Sequence, residues 1–201
     1  MRGNIPELEF WYDFASTYSY LSAMRIEAMA QAAGVKLAWR PFLLGPIFQA
    51  QGWSTSPFRL YASKGRYMRR DVERLAAERG LAFALPHRFP ANSLAAARLA
   101  IIGAEQSWIA PFTRAIFAAQ FAEQADIADH SVLRRILDRL GLDQARLFAS
   151  IEDPDTKARL RQQTAAAQAR GVFGAPSFFA GEELFWGDDR LGQALAYARR
   201  C

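Results

Sequence analysis

The chain has 201 residues, 51% of them hydrophobic, which suffices for one well-buried core and leaves room for a sizeable insertion. Its formal charge of +5 comes from arginines interspersed with acids rather than from a block of like charge, so it favours acidic small molecules weakly and gives no ground for a nucleic-acid surface. The one cysteine, Cys201, is the last residue, which excludes an intrachain disulfide, a Cys-x-x-Cys redox pair and a cysteine-based zinc site. Any thiol chemistry must use a thiol from outside. No run approaches the roughly 20 apolar residues of a membrane span, and MRGNIPELEF has no signal-peptide pattern, so the expectation is a cytoplasmic protein.

In chain order, Leu8 to Tyr12 reads as a buried strand. Leu21, Met24, Ala28 and Ala32 then recur at helical steps, and Gly34 stops the helix. Val35 to Phe42 alternates like a half-buried strand. A helical crossover predicts that the two strands run parallel. From about residue 46 to 150 the pattern is helical, over 64–79, 92–106, 111–123, 131–140 and 144–151, with Phe112, Ile116, Phe117 and Phe121 as one apolar stripe and Val132, Ile136 and Leu140 as another. Asp153 and Pro154 open a further helix that Gly171 ends. Residues 176–180, a turn at Gly181, Glu182 and Glu183, and Leu184 to Trp186 predict an antiparallel hairpin, and a last helix starts at Asp188 or Asp189. The order βαβ, helices, αββα is an α/β thioredoxin-like core, residues 1–45 and 152–201, with a large all-helical inserted domain at 46–151.

Four places could carry chemistry. Ser16 and Thr17 sit where the first strand ends and a helix begins; they are either helix caps or hydroxyls facing a bound anion or thiolate. Pro176 starts a strand after a glycine-containing turn; a cis bond before it would turn the Ala175 backbone outward for a peptide to pair with, whereas a trans proline would simply begin an edge strand. Trp186, Gly187, Asp188 and Asp189 place two acids at a helix start, one more than a cap requires; the spare carboxylate either holds an ammonium group or simply stabilises the first helical turn. The loop at Trp53 and Ser54, with Lys64 after it, suits an anionic aromatic ligand or is only a solvated basic face. His87 and His130 have no second ligand at metal-binding spacing, so no metal site is expected. Hydrolase, P-loop and dinucleotide motifs are lacking.

Six stretches carry a family resemblance: DFASTYSYL (13–21), LGPIF (44–48), KGRY (64–67), FPANS (89–93), GVFGAP (171–176) and FWGDDR (185–190). Together they resemble the 2-hydroxychromene-2-carboxylate isomerases, from the first strand to the last helix. That family is similar to kappa-class glutathione transferases and, more distantly, to bacterial periplasmic disulfide oxidoreductases. The resemblance implies glutathione as cofactor and a homodimer acting on a small aromatic carboxylate, with no nucleic acid or membrane partner. Ser16 matches the serine that activates the glutathione thiol, Ala175 the residue whose backbone binds the cysteine unit, and Pro176 a cis-proline. Trp186, Gly187, Asp188 and Asp189 match the segment holding the γ-glutamyl end, with Asp189 the candidate for its ammonium. Trp53, Ser54, Lys64 and Asn92 match the substrate side. Thr17 stands where the family often has proline, so Ser16 is expected to face the thiol and Thr17 to serve the helix start. Where related glutathione binders carry an asparagine, this loop has Trp53 and Ser54. The rival functions are a kappa-class-like transferase and a peptide- or thiol-binding protein without chemistry.

Overall fold

The computed structural model describes residues 5–104 and 106–200, with only the backbone of Pro57; Cys201 lies outside the described residues. Four strands form one sheet in the order β2-β1-β3-β4: β1 (Glu7–Tyr12), β2 (Lys36–Pro41), β3 (Ser177–Ala180) and β4 (Glu183–Trp186). The expected parallel pair is β1 with β2, in register Glu7 to Lys36 through Tyr12 to Pro41. β1 pairs antiparallel with β3, and β3 with β4, across a two-residue turn in which Gly181 has φ 60°. Glu183 therefore belongs to β4 rather than to the turn.

The central strand β1 is apolar along one face, and on the other it carries Trp11 beside Glu7 and Glu9, whose carboxylates pair with Lys36 and with Arg40 and Arg170. Leu8, Phe10 and Tyr12 face a core that includes Ile26 and Ala30 of α2 (Ile26–Ala33) and Leu191 and Leu195 of the last helix, Leu191–Ala198. Trp11 faces the other way, onto Phe42, Phe179 and Ala167. Ala167 lies on the helix Pro154–Ala169 that follows the expected N-cap Asp153.

The first helix differs from its expected form. α1 (Thr17–Ala23) ends at Met24, and Arg25 leaves helical geometry at φ −131° before α2 begins. Its guanidinium there bonds Asp188, 163 residues away. The break rephases the apolar face: Ile26 and Ala30 are buried, while Ala28 and Ala32 are exposed.

Between β2 and β3 the chain is helical as expected, and two short helices that the pattern did not show precede the first long one. They are α3 (Leu44–Ala50) and α4 (Pro57–Leu60), followed by α5 (Ala62–Glu78), α6 (Leu94–Gly103), α7 (Ile109–Phe121), α8 (His130–Arg139) and α9 (Gln144–Ser150). The helix Pro154–Ala169 is α10, and Leu191–Ala198 is α11. Phe112, Ile116, Phe117 and Phe121 are all buried on α7, in the same cluster as Phe10 and Tyr12. Phe117 is the joint: its ring lies 5.1 Å from Phe14 and 6.0 Å from Tyr12. Beside it Tyr12 Oη shares a 2.8 Å hydrogen bond with Thr113 Oγ1. We propose that the boundaries at 46 and 151 mark the topology of the insertion and that both parts unfold as one cooperative unit. Phe117→Ala should cost about 3–5 kcal/mol, as large aromatic truncations in cores do. Denaturant unfolding followed by tryptophan fluorescence and far-UV dichroism should shift together; separate transitions would show independent domains.

Candidate active site

The site begins where β1 runs out. Asp13 is buried, and its carboxylate is held by neutral donors from three segments. Oδ1 accepts from Ala15 N–H and Ser93 Oγ, both at 2.8 Å, and Oδ2 from Leu44 N–H at 2.7 Å. Its own carbonyl accepts from Ser16 N–H at 2.9 Å. One side chain thus ties the β1–α1 turn to the starts of α3 and α6. Burial pushes the Asp13 carboxyl above its ordinary range, with the three donors pulling the other way.

Ser16 follows as the N-cap of α1, extended at φ −91° and ψ 116°. Its Oγ accepts from Ser19 N–H at 3.1 Å and donates to the Ala175 carbonyl at 2.8 Å. One hydroxyl thus caps α1 and meets the cis-proline turn. The expectation for Thr17 is corrected: it does not serve the helix start, and its buried Oγ1 makes no hydrogen bond among the described residues. The reason is geometric, since the capping oxygen comes from the last extended residue, and that is Ser16.

The Ala175–Pro176 bond is cis, as the resemblance implied, and Phe89–Pro90 is a second cis bond that the sequence reading did not anticipate. Among the described residues Ala175 N–H takes no partner, while the Pro176 carbonyl accepts from Gly187 N–H at 3.0 Å. Gly187, at φ 108°, has a conformation L side chains rarely adopt, and a Cβ there would come 2.6 Å from an Asp189 carboxylate oxygen. The turn it allows separates the two acids. Asp188 is buried and receives Ser22 Oγ at 2.8 Å, Arg25 Nη2 at 3.1 Å and Arg79 Nη2 at 2.6 Å. Asp189 points outward, its side chain 71% exposed, with only Arg190 at 3.6 Å. The first acid builds the site and the second remains free. Trp186 is half exposed and meets the Phe173 ring at 4.8 Å, tilted by 56°.

These groups meet on a cavity of about 830 Å³. Ser16, Ala175, Pro176, Trp186, Gly187, Asp188 and Asp189 line it, and so do Trp53 and Lys64. Its apolar wall includes Phe48 against Trp53, at 5.4 Å, and Phe58 against Phe89, at 4.9 Å. Ser54 and Asn92 instead line an adjoining cavity of about 440 Å³, which shares Ala15, Leu44, Phe48, Trp53 and Ser56 with the first. Asn92 Oδ1 is engaged with Leu94 N–H at 3.1 Å, at the start of α6. The sequence reading missed Asp13, Tyr18, Asp71 and Arg79. Two were findable, because Lys64, Met68, Asp71, Leu75 and Arg79 recur at helical steps and form one lining face along α5 and its end; Tyr18 joins that face only through its 2.9 Å hydrogen bond to Asp71. The role of Asp13 depends on partners up to 80 residues away.

A serine-started helix facing a cis-proline strand, on a four-stranded sheet with helical insertion, defines a thioredoxin-type domain without the redox cysteines. The DSBA-like thioredoxin domain family matches residues 7–198. A 2-hydroxychromene-2-carboxylate isomerase of Pseudomonas putida is 30% identical over 188 residues, 92% of this chain and 90% of that one. A solved 2-hydroxychromene-2-carboxylate isomerase superposes with TM-score 0.87 at 26% identity, covering 96% of this chain and 95% of the other. Glutathione S-transferase kappa 1 of Rattus norvegicus is 26% identical over 204 residues, 94% of this chain and 89% of its own. The chain belongs to the DSBA-like thioredoxin family and, within it, to the 2-hydroxychromene-2-carboxylate isomerases. It is thereby an enzyme of the isomerase class. Among its described residues no helix is long and apolar enough to cross a membrane.

Two measurements check the geometry. Asp188→Asn leaves Arg25 and Arg79 facing a neutral group and should cost about 2–4 kcal/mol, somewhat less than for a fully buried pair because water reaches both arginines. Asp189→Ala should stay within about 0.5 kcal/mol of wild type. Asp13 gives a pH signature. Its folded carboxyl holds a proton over a range, starting near 3.8, where the unfolded chain has released it. Its contribution to stability is therefore full below about pH 4 and is lost as the pH rises through the folded value. The stability of wild type relative to Asp13→Asn should fall as pH is raised from about 4 toward neutrality; a flat or rising difference would contradict the raised carboxyl.

Proposed function

We propose that this enzyme is a glutathione-dependent cis-trans isomerase of an aromatic, carboxylate-bearing substrate, interconverting 2-hydroxychromene-2-carboxylate and trans-o-hydroxybenzylidenepyruvate or a close relative. The observation that carries the reading is the meeting of the Ser16 hydroxyl with the Ala175 backbone on the floor of an aromatic-walled cavity. The residues fit glutathione. Ala175 N–H lacks a partner among the described residues, the Asp189 carboxylate is exposed at one end, and an aromatic space lies at the other. The match to a glutathione transferase supports the same cofactor.

Bound glutathione would supply a thiolate that adds reversibly to the activated double bond of the ring-opened substrate, leaving a single bond free to rotate. The protein's part is to hold and ionise. Ala175 offers its N–H and carbonyl to the cysteine unit as a strand edge does. Trp186 and Gly187 border the γ-glutamyl end, and Asp189 accepts from its ammonium. Ser16 donates to the sulfur while its oxygen still caps α1. A thiol pKa lowered by one to two units from about 8.5 needs about 1.4–2.8 kcal/mol. One hydrogen bond to a charged group supplies about 1.5–3 kcal/mol, so Ser16 suffices in magnitude. Lys64, which makes no ion pair among the described residues, would hold the substrate carboxylate, with Trp53 and Phe58 against its ring. We place Ser54 and Asn92 on the substrate side through the adjoining cavity. A cytoplasmic homodimer belongs to the same reading, on the resemblance to that family.

A kappa-class-like transfer reaction would use the same thiol site and is favoured by the transferase match, but it would release a conjugate instead of returning glutathione. The test is isomerisation of hydroxychromene carboxylate with and without glutathione. Ser16→Ala should lower turnover by about 10- to 100-fold, the size of one charge-assisted hydrogen bond. Thr17→Val should stay within about threefold. Full activity in glutathione-free protein, or unchanged turnover in Ser16→Ala, would sink the mechanism, and accumulation of a glutathione conjugate would favour transfer.

A further inference from the structure

The one proton of the Ser16 hydroxyl is committed. Its proton lies on the Ala175 carbonyl at 2.8 Å, and its oxygen receives Ser19 N–H at 3.1 Å. A hydroxyl has one proton, so Ser16 stabilises a sulfur only if that proton leaves Ala175. The capping bond can stay, because it uses a lone pair and not the proton. The carbonyl that holds the proton belongs to Ala175, whose own N–H is also unpaired among the described residues.

On the reading proposed above, we infer that the Ala175 carbonyl is a thiol-selectivity device: it holds the Ser16 proton until an amide N–H beside the ligand's thiol takes its place. The site then activates thiols of cysteinyl peptides and leaves simple thiols protonated. A second donor arriving on the carbonyl weakens the bond from Ser16, while a thiolate is a charged acceptor that binds a hydrogen-bond donor about twice as strongly as a neutral one. Both changes move the Ser16 proton from Ala175 toward sulfur. No covalent bond is made or broken in Ser16. The thiol's own proton leaves to buffer, and Ser16 keeps its proton and re-aims it. Asp189 accounts for recognition at the far end of the peptide but makes no demand on the atoms next to the thiol, so the selectivity resides at Ala175.

The test compares glutathione with its analogue methylated on the cysteine nitrogen, using the ultraviolet absorbance of the thiolate together with calorimetric binding. At a pH one unit below the free thiol's pKa, the thiolate fraction of bound glutathione should rise about fivefold, and that of the bound N-methyl analogue by less than about 1.5-fold. A second comparison holds even if the analogue does not bind. S-methylglutathione has no proton to lose, and Ser16→Ala removes its competitor for the Ala175 carbonyl. The variant should therefore bind it with a Kd equal to that of wild type or up to about fivefold lower. Equal ionisation of the two bound thiols, or more than fivefold weaker binding of S-methylglutathione by Ser16→Ala, overturns the inference. If wild type binds neither glutathione nor S-methylglutathione, the failure lies in the glutathione reading beneath it.

Discussion

The hydrogen bond from Ser16 to the Ala175 carbonyl joins segments 159 residues apart, and the candidate site is arranged around it. Neither partner could reach the other from an ordinary connection. Ser16 must be the last extended residue before α1, so that its hydroxyl both caps the helix and projects from it. Ala175 must precede a cis-proline, so that its carbonyl turns away from the ladder of β3 toward the helix start. The sheet brings the two together because β1 and β3 are hydrogen-bonded neighbours, and their ends emerge side by side.

Much of the remaining fold keeps that junction in place. Asp13 gathers three neutral donors around a buried carboxylate and so fixes the turn before Ser16 against the starts of α3 and α6. Burying an unpaired carboxylate is unfavourable, and the raised carboxyl is the trace of that cost. On the opposite side the buried Asp188 joins Ser22 of α1, Arg25 at the helix break and Arg79 at the end of α5. The α5 face between Lys64 and Arg79 then lines the same cavity as Asp188 and Asp189.

The sequence made the strand order, the helical middle and the cis-proline turn legible because each depends on local periodicity or on a motif carried whole, as in GVFGAP. It also put Ser16, Ala175 and Asp189 in one site. What stayed hidden was set by contacts distant in the chain. The break at Arg25 has no proline or glycine to announce it and coincides with an ion pair to Asp188. That same pair decides which of two adjacent acids turns inward, a choice that the letters Asp188-Asp189 do not show. The cap was assigned to Thr17 instead of Ser16 for a related reason: both hydroxyls suit a cap, and only the backbone geometry says which residue is last before the helix. Ser54 and Asn92 were grouped with Trp53 by sequence proximity and motif, whereas Trp53 lines both cavities and the other two line only the smaller.

The central claim is that this junction ionises a thiol supplied from outside. The most direct measurement is the pH titration of the thiolate absorbance of glutathione bound to the wild-type enzyme and to Ser16→Ala. The account predicts a midpoint one to two units below the free thiol's ordinary value of about 8.5 in wild type, returning to within about half a unit of it in the variant. A bound thiol that titrates at its free value in wild type, or equally low in both proteins, would contradict it.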